Sequence, residues 1–169
     1  MKTSSGFDQC YNAQIAVEEG SQLILATGLT NCAADNAALL PLIDRVHGTL
    51  GAHPPAVLTD AGFRGEDNFR ALEARGIPAY ISLGHETRPA TSPNPAHRAT
   101  QRMAARLATE EVRARYRRRK AIVEPVIGWI KAVLGFRRFS VRGEVQARGE
   151  WNVVCLAVNL KRLHRLGMA

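Results

Sequence analysis

Residues 56–63 read Ala-Val-Leu-Thr-Asp-Ala-Gly-Phe, a short apolar run that stops on an acid, Asp60. The run is apolar at both alternating sets of positions, as in a strand covered on its two faces, so residues 56–60 read as a strand that ends on Asp60. Thr59 and Gly62 flank the acid and set the turn that follows. A second acid, Glu124, stands in Tyr-Arg-Arg-Arg-Lys-Ala-Ile-Val-Glu-Pro-Val-Ile-Gly-Trp-Ile-Lys, residues 116–131. An acid among arginines is a poor surface choice unless it pairs with them or binds a cation. Two acids on separate rigid elements, one of them among basic residues, suit two-metal phosphodiester chemistry.

Outward from Asp60, the chain alternates strand and helix signals. Residues 10–17 and 22–30 read as strands, and the Glu18-Glu19-Gly20 turn between them makes an antiparallel hairpin. Asp35 reads as the N-cap of a helix running to about residue 49, and Pro41 either kinks that helix or marks its true start. A helix over 66–75 ends at Gly76. Residues 77–83 form a further strand, with Pro78 acceptable at a sheet edge. Residues 84–97 hold three prolines and read as a loop. From residue 98 the pattern is helical, with a turn over 135–143. The last helix, 148–166, is apolar nearly all round from Trp151 to Leu160, which predicts a buried helix. This order predicts an α/β fold with a mixed sheet and flanking helices, in one domain spanning 1–169.

The 169 residues are 46% hydrophobic, enough for a real core. No run of about 18 apolar residues is present, so no membrane span is expected. The N-terminus lacks the apolar segment of a secretory leader, and the expected compartment is the cytoplasm. Cys10, Cys32 and Cys155 have no Cys-x-x-Cys spacing and read as small buried or half-buried residues. His47, His53, His85, His97 and His164 are scattered without ligand spacing. Asp44, Glu66, Asp67 and Glu73 read as acids on helix surfaces. Trp129 and Trp151 read as core, with stacking on a flipped base as the alternative. Gly-x-Gly nucleotide patterns are absent.

The net charge of +8 is unevenly placed. Residues 1–96 carry 6 Lys/Arg and 10 Asp/Glu, whereas residues 97–169 carry 17 and 5. A basic half of this kind is the footprint of a polyanion binder. On a helix over 114–134, Ile122, Val123, Val126, Ile127, Trp129, Ile130, Val133 and Leu134 share a wide arc. Tyr116, Lys120, Glu124 and Lys131 line its edge. The plain alternative is an i,i+4 pair between Lys120 and Glu124. Pro125 disfavours helical geometry at Glu124, which places that acid at a kink or in the first turn of a new helix.

At these residues the chain resembles the DDE transposases of bacterial insertion sequences, in the subgroup with a Tyr-x2-Arg-x3-Glu-x6-Lys pattern. Tyr116, Arg119, Glu124 and Lys131 nearly reproduce it. Glu124 to Lys131 has the family spacing, while Arg119 lies one residue too far from Glu124, so either Arg119 or Lys120 takes the arginine position. Further similar runs are 7–14, 58–63, 123–131, 135–143 and 150–160, so the resemblance covers nearly the whole chain.

The resemblance implies a ribonuclease H-like fold with three metal-binding carboxylates, Asp60 by match the second and Glu124 the third. Two Mg²⁺ ions, or Mn²⁺, would be held between them. Tyr116, Arg119 or Lys120, and Lys131 would hold DNA phosphates near the cut, and Arg137, Arg138 and Arg142 would contact the backbone. It also implies double-stranded DNA as partner (transposon ends and target), a homodimer in intact members, and a nucleoid-associated cytoplasmic location. In such relatives the first aspartate lies just upstream of a segment like Met1–Phe7. The expectation is therefore an N-terminally truncated chain, without the first strand and its aspartate, of open enzymatic status and expected to be inactive. Asp8 is a candidate replacement. The alternatives are a non-catalytic basic DNA-binding module of the same fold and a metal-dependent nuclease.

Overall fold

The computed structural model describes residues 2–3, 6–7, 10–84 and 96–167. Asp8, His85 and most of the proline-containing loop lie outside the described residues. The chain divides into two compact units, Met1–Asp35 with Ile122–Ala169, and Asn36–Ala121.

The first unit holds the short antiparallel pair β1 (Lys2–Thr3) and β2 (Gly6–Phe7), then the expected hairpin of β3 (Asn12–Val17) and β4 (Ile24–Thr30). Its register pairs Asn12 with Thr30 and Ile15 with Thr27, and slips at Ala16/Val17. Ile24, Leu29, Val126, Ile130, Ala147, Trp151, Cys155 and Val158 form its core. The last helix, α5 (Glu144–Arg165), is fastened to the hairpin by polar groups as well as by this core. Asn159 meets both backbone groups of Ile24, its amide donating to the carbonyl and its oxygen accepting from the N–H, each at 2.8 Å. The Trp151 indole N–H donates to the Gln14 carbonyl at 3.3 Å.

The second unit opens with a 3₁₀ turn, Asn36–Ala38, and α1 (Leu39–Leu50). A β-α-β unit follows: β5 (Val57–Thr59), α2 (Glu66–Ala74) and β6 (Ala79–Ile81). β5 and β6 are parallel, with Val57 opposite Ala79 and Thr59 opposite Ile81. α3 (Arg98–Leu107) packs beneath, and α4 (Glu110–Ala132) runs on into the first unit. Leu39, Ile43, Phe69, Leu72, Ile77, Ala79, Ile81, Ala99 and Met103 make this unit's core. Gly76 ends α2 with φ of 65°, a left-handed conformation that glycine adopts without Cβ strain.

Several expectations change. Antiparallel and parallel pairing are both present, but in three separate two-stranded sheets, because no described strand joins one pair to another. Asp35 caps no helix: its carboxylate accepts from the Asn12 amide at 2.6 Å, and α1 starts only at Leu39. Pro41 then falls in the first turn of α1, where its missing N–H costs nothing. β5 is half-buried along its length rather than covered on both faces. α4 continues through Pro125. It ends at Ala132, so Val133 and Leu134 leave the core arc and are exposed. α5 is not buried all round, since Val153, Leu156 and Leu160 are exposed. Cys32 is exposed, while Cys155 is buried and its thiol is pushed up to about 12 by desolvation. The rings of His47 and His53 meet at 4.5 Å despite their separation in sequence.

Candidate functional site

In the second unit, β5 delivers Asp60 in extended geometry, with φ of −81° and ψ of −178°. Its Oδ1 accepts from the Gly62 N–H at 2.9 Å and caps the 3₁₀ turn Ala61–Phe63. The Thr59 hydroxyl donates to the Asp60 carbonyl at 3.2 Å, so the two flanking residues do set the turn. Oδ2 faces Arg119 Nη1 of α4 at 4.0 Å. The Arg119 side chain is only 16% exposed and that of Asp60 52%, so the arginine is built in and the acid presents itself to solvent. The Arg119 guanidinium lies 5.8 Å from the Tyr116 ring centre, and one turn earlier Arg115 lies 5.2 Å over Tyr80 of β6. The fold thus gathers Asp60, Arg119 and Tyr116 at the carboxyl end of the parallel pair. Lys120, the alternative to Arg119, is exposed on α4.

The first unit holds the other basic candidates, Lys131, Arg137, Arg138 and Arg142. Val126 and Ile130 bury one face of α4 and leave Glu124 and Lys131 exposed. Gly135, at φ of 68°, turns the chain, and the Phe136 N–H returns to the Ile130 carbonyl at 3.1 Å. The arginine loop 136–143 is then held from three directions. Phe136 and Phe139 pack edge to face at 5.2 Å, and Tyr11 does the same against Phe139 at 5.4 Å. The Gly143 N–H donates to the Tyr11 hydroxyl at 2.9 Å. The Glu150 carboxylate of α5 accepts from the Ser140 N–H at 3.0 and 3.1 Å and from its hydroxyl. The Ser140 hydroxyl bond lowers the Glu150 pKa most, with backbone N–H groups of Ser140 and Val141 assisting against slight desolvation. The result is an open concavity of ≈ 670 Å³ whose rim carries Lys131, Arg137, Arg138 and Arg142. Trp151 is buried behind it and Trp129 is partly buried, as expected of core residues.

Sequence reading missed the residues that hold this geometry. Glu66, a surface acid by its sequence pattern, accepts from the Ala99 and Thr100 N–H groups at 2.9 and 2.8 Å and from the Thr100 hydroxyl at 2.7 Å. It supplies from α2 the cap that α3 lacks at His97. Desolvation pushes its carboxyl up, but those hydrogen bonds outweigh it and leave the pKa below the ordinary value. Glu73 is likewise tied to Arg102, and Asp44 to Arg75. None of these partners is within a helical turn in sequence, so no local pattern signalled them.

Asp60 and Glu124 fall in different units. Carboxylate oxygens are the hard donors that Mg²⁺ and Mn²⁺ prefer. Among the described residues, however, no three His, Cys, Asp or Glu side chains gather. Asp60 therefore fits such a cation in kind, without a ready-made cage among the described residues. No helix among the described residues is long and apolar enough to cross a membrane.

A family model described as "Transposase DDE domain" matches residues 2–160. No curated protein and no solved structure matches the chain.

Proposed function

Because the chain belongs to the transposase DDE domain family, we propose that it is catalytic-domain sequence of a bacterial insertion-sequence transposase. In this reading it has a ribonuclease H-like fold and serves DNA cleavage and strand transfer. The observation that carries the proposal is the meeting of Asp60 with Arg119 at 4.0 Å, with Tyr116 beneath the guanidinium. Residues assigned by resemblance from two distant parts of the sequence, Asp60 and the Tyr116–Arg119 pair, meet at one strand end. The match runs through both units, which supports reading 1–169 as one domain.

Asp60 and Glu124 are the proposed metal-holding carboxylates. A divalent ion, Mg²⁺ or Mn²⁺, would supply Lewis-acid polarisation of the phosphodiester when bound. The proposed role of Arg119 is to hold a phosphate oxygen beside Asp60 through its planar guanidinium, a geometry that lysine does not share. Tyr116 fixes the plane of that guanidinium. Lys120 and Lys131 add positive charge to the path of the DNA. Arg137, Arg138 and Arg142, on a loop pinned by Glu150 and Tyr11, suit contacts to the duplex backbone, which position DNA without reading sequence. The proposed partners are transposon ends and target DNA, together with a second copy of the chain, in the cytoplasm at the nucleoid. With only two carboxylates assigned, the chain by itself is expected to bind DNA firmly and to cleave it weakly or not at all.

Calorimetric titration of Mn²⁺ into the chain bound to duplex DNA tests this reading. Mn²⁺ binding lost in Asp60→Asn and in Glu124→Gln, with DNA affinity kept, supports it. Mn²⁺ binding unchanged in both variants overturns the catalytic assignment and leaves a basic DNA-binding module. Metal-dependent nicking without strand joining favours the nuclease.

A further inference from the structure

α5 carries two apolar stripes, and among the described residues only one of them packs into a core. Ala147, Trp151, Cys155 and Val158 face the core. On the opposite side, Val145, Gly149, Val153, Leu156, Leu160 and Leu163 fall within about 80° of one another at the helical repeat. No charged residue interrupts that arc. Val145 is 77% exposed, Val153 67%, and Leu156 and Leu160 each 56%. From Gly149 onward the stripe recurs at alternating spacings of four and three residues. That period makes a seam for another helix rather than a surface for a strand or a loop. Gly149 sits mid-helix, where glycine is unfavourable, and a Cβ placed there would meet nothing within 4 Å. Among the described residues nothing packs against this position, so the stripe is at its lowest there.

We propose that α5 pairs antiparallel with α5 of a second copy of this chain, about a two-fold axis at Leu156. Volume and charge both select this occupant and this direction. The stripe is small at its N-terminal end and large at its C-terminal end. Antiparallel pairing seats Leu163 over Gly149, Leu160 over Val153, and Leu156 over its own copy, the self-complementary pattern that a two-fold interface requires. Residues 144–154 carry Glu144, Arg148 and Glu150, whereas residues 155–165 carry Lys161, Arg162 and Arg165. Antiparallel pairing opposes a net negative half to a strongly positive one and also opposes the helix dipoles. Parallel pairing would stack the two positive halves. Glu144 and Glu150 are engaged with Arg148 and Ser140 within the chain, so charge sets the direction and the apolar seam sets the strength. The inference deepens the second-copy element of the proposed function and is independent of the DNA chemistry.

Sedimentation equilibrium of the full chain is the test, with the expectation of a reversible dimer. Leu156→Lys, at an exposed site, keeps the circular dichroism spectrum and weakens the dimer at least roughly tenfold, the loss expected at a central interface position. Gly149→Leu keeps the helix and also abolishes the dimer. In a Cys10→Ser, Cys32→Ser background, Leu156→Cys cross-links to its own copy under mild oxidation. Val153→Cys cross-links to Leu160→Cys in a mixture but not to itself. A monomer at every concentration, or a dimer untouched by Leu156→Lys and Gly149→Leu, overturns the proposal. Self-cross-linking of Val153→Cys overturns its direction. DNA affinity of Leu156→Lys, measured alongside, judges the DNA reading separately.

Discussion

Asp60 Oδ2 faces Arg119 Nη1 at 4.0 Å, joining the end of a strand to the middle of a long helix. The acid is half-exposed, so this pair contributes little to stability, and its consequence is orientation. The Arg119 guanidinium is fixed against Tyr116 and aimed at the one oxygen of Asp60 that the Gly62 N–H does not take.

Arg119→Lys therefore separates stability from function. The expected loss of folding stability is below about 1 kcal/mol. The expected loss of DNA affinity exceeds that of Lys120→Arg, because lysine cannot reproduce a planar fork. Thermal melts and fluorescence anisotropy on the same samples check both halves.

Arg137, Arg138 and Arg142 are expected to act as phosphate contacts of equal kind. Each alanine substitution reduces the slope of log affinity against log salt by about 0.9 on duplex DNA. The reductions add across a triple variant and do not depend on the DNA sequence. A salt series with two unrelated duplexes is the check; a loss confined to one duplex would contradict it.

Glu66, Glu73 and Glu150 all have folded pKa values below the ordinary glutamate value. A depressed folded pKa contributes stability that is present above the unfolded value, near about 4.3. That contribution is lost as pH falls from there through the lower folded value. The melting temperature is expected to decline below about pH 5, and Glu66→Gln, which cannot titrate, declines less steeply. At neutral pH the same variant melts lower than the wild type, because α3 loses a charged cap.

Pro125 lies inside α4 and brings no N–H to the helix ladder. Pro125→Ala is expected to raise the melting temperature, with a gain of up to about 3 kcal/mol. Chemical denaturation followed by circular dichroism measures it, and an unchanged midpoint would mean that the packing around α4 already accommodates the proline.

Much was legible before any coordinates. The β3–β4 hairpin, the strand ending on Asp60, the helix ended by Gly76 and the basic C-terminal half all follow from local rules of periodicity, turn chemistry and charge. The resemblance pointed to the family that the domain match bears out. Asp35 departs from its sequence pattern because an acid before a helical run is a cap by local rule, whereas the Asn12 amide that captures it lies two strands away.

What only the tertiary structure decided concerns partners distant in sequence. Arg119 rather than Lys120 stands beside Asp60, Lys131 shares a concavity with the loop arginines, and Glu66 and Glu150 hold a helix end and a loop. The apolar circumference of α5 was visible in the sequence, but not that half of it faces outward. The physical reason is the same throughout. Backbone periodicity is set by neighbours within about a turn. The partner of a charged or apolar side chain is set by chain closure over tens of residues, which no local pattern encodes.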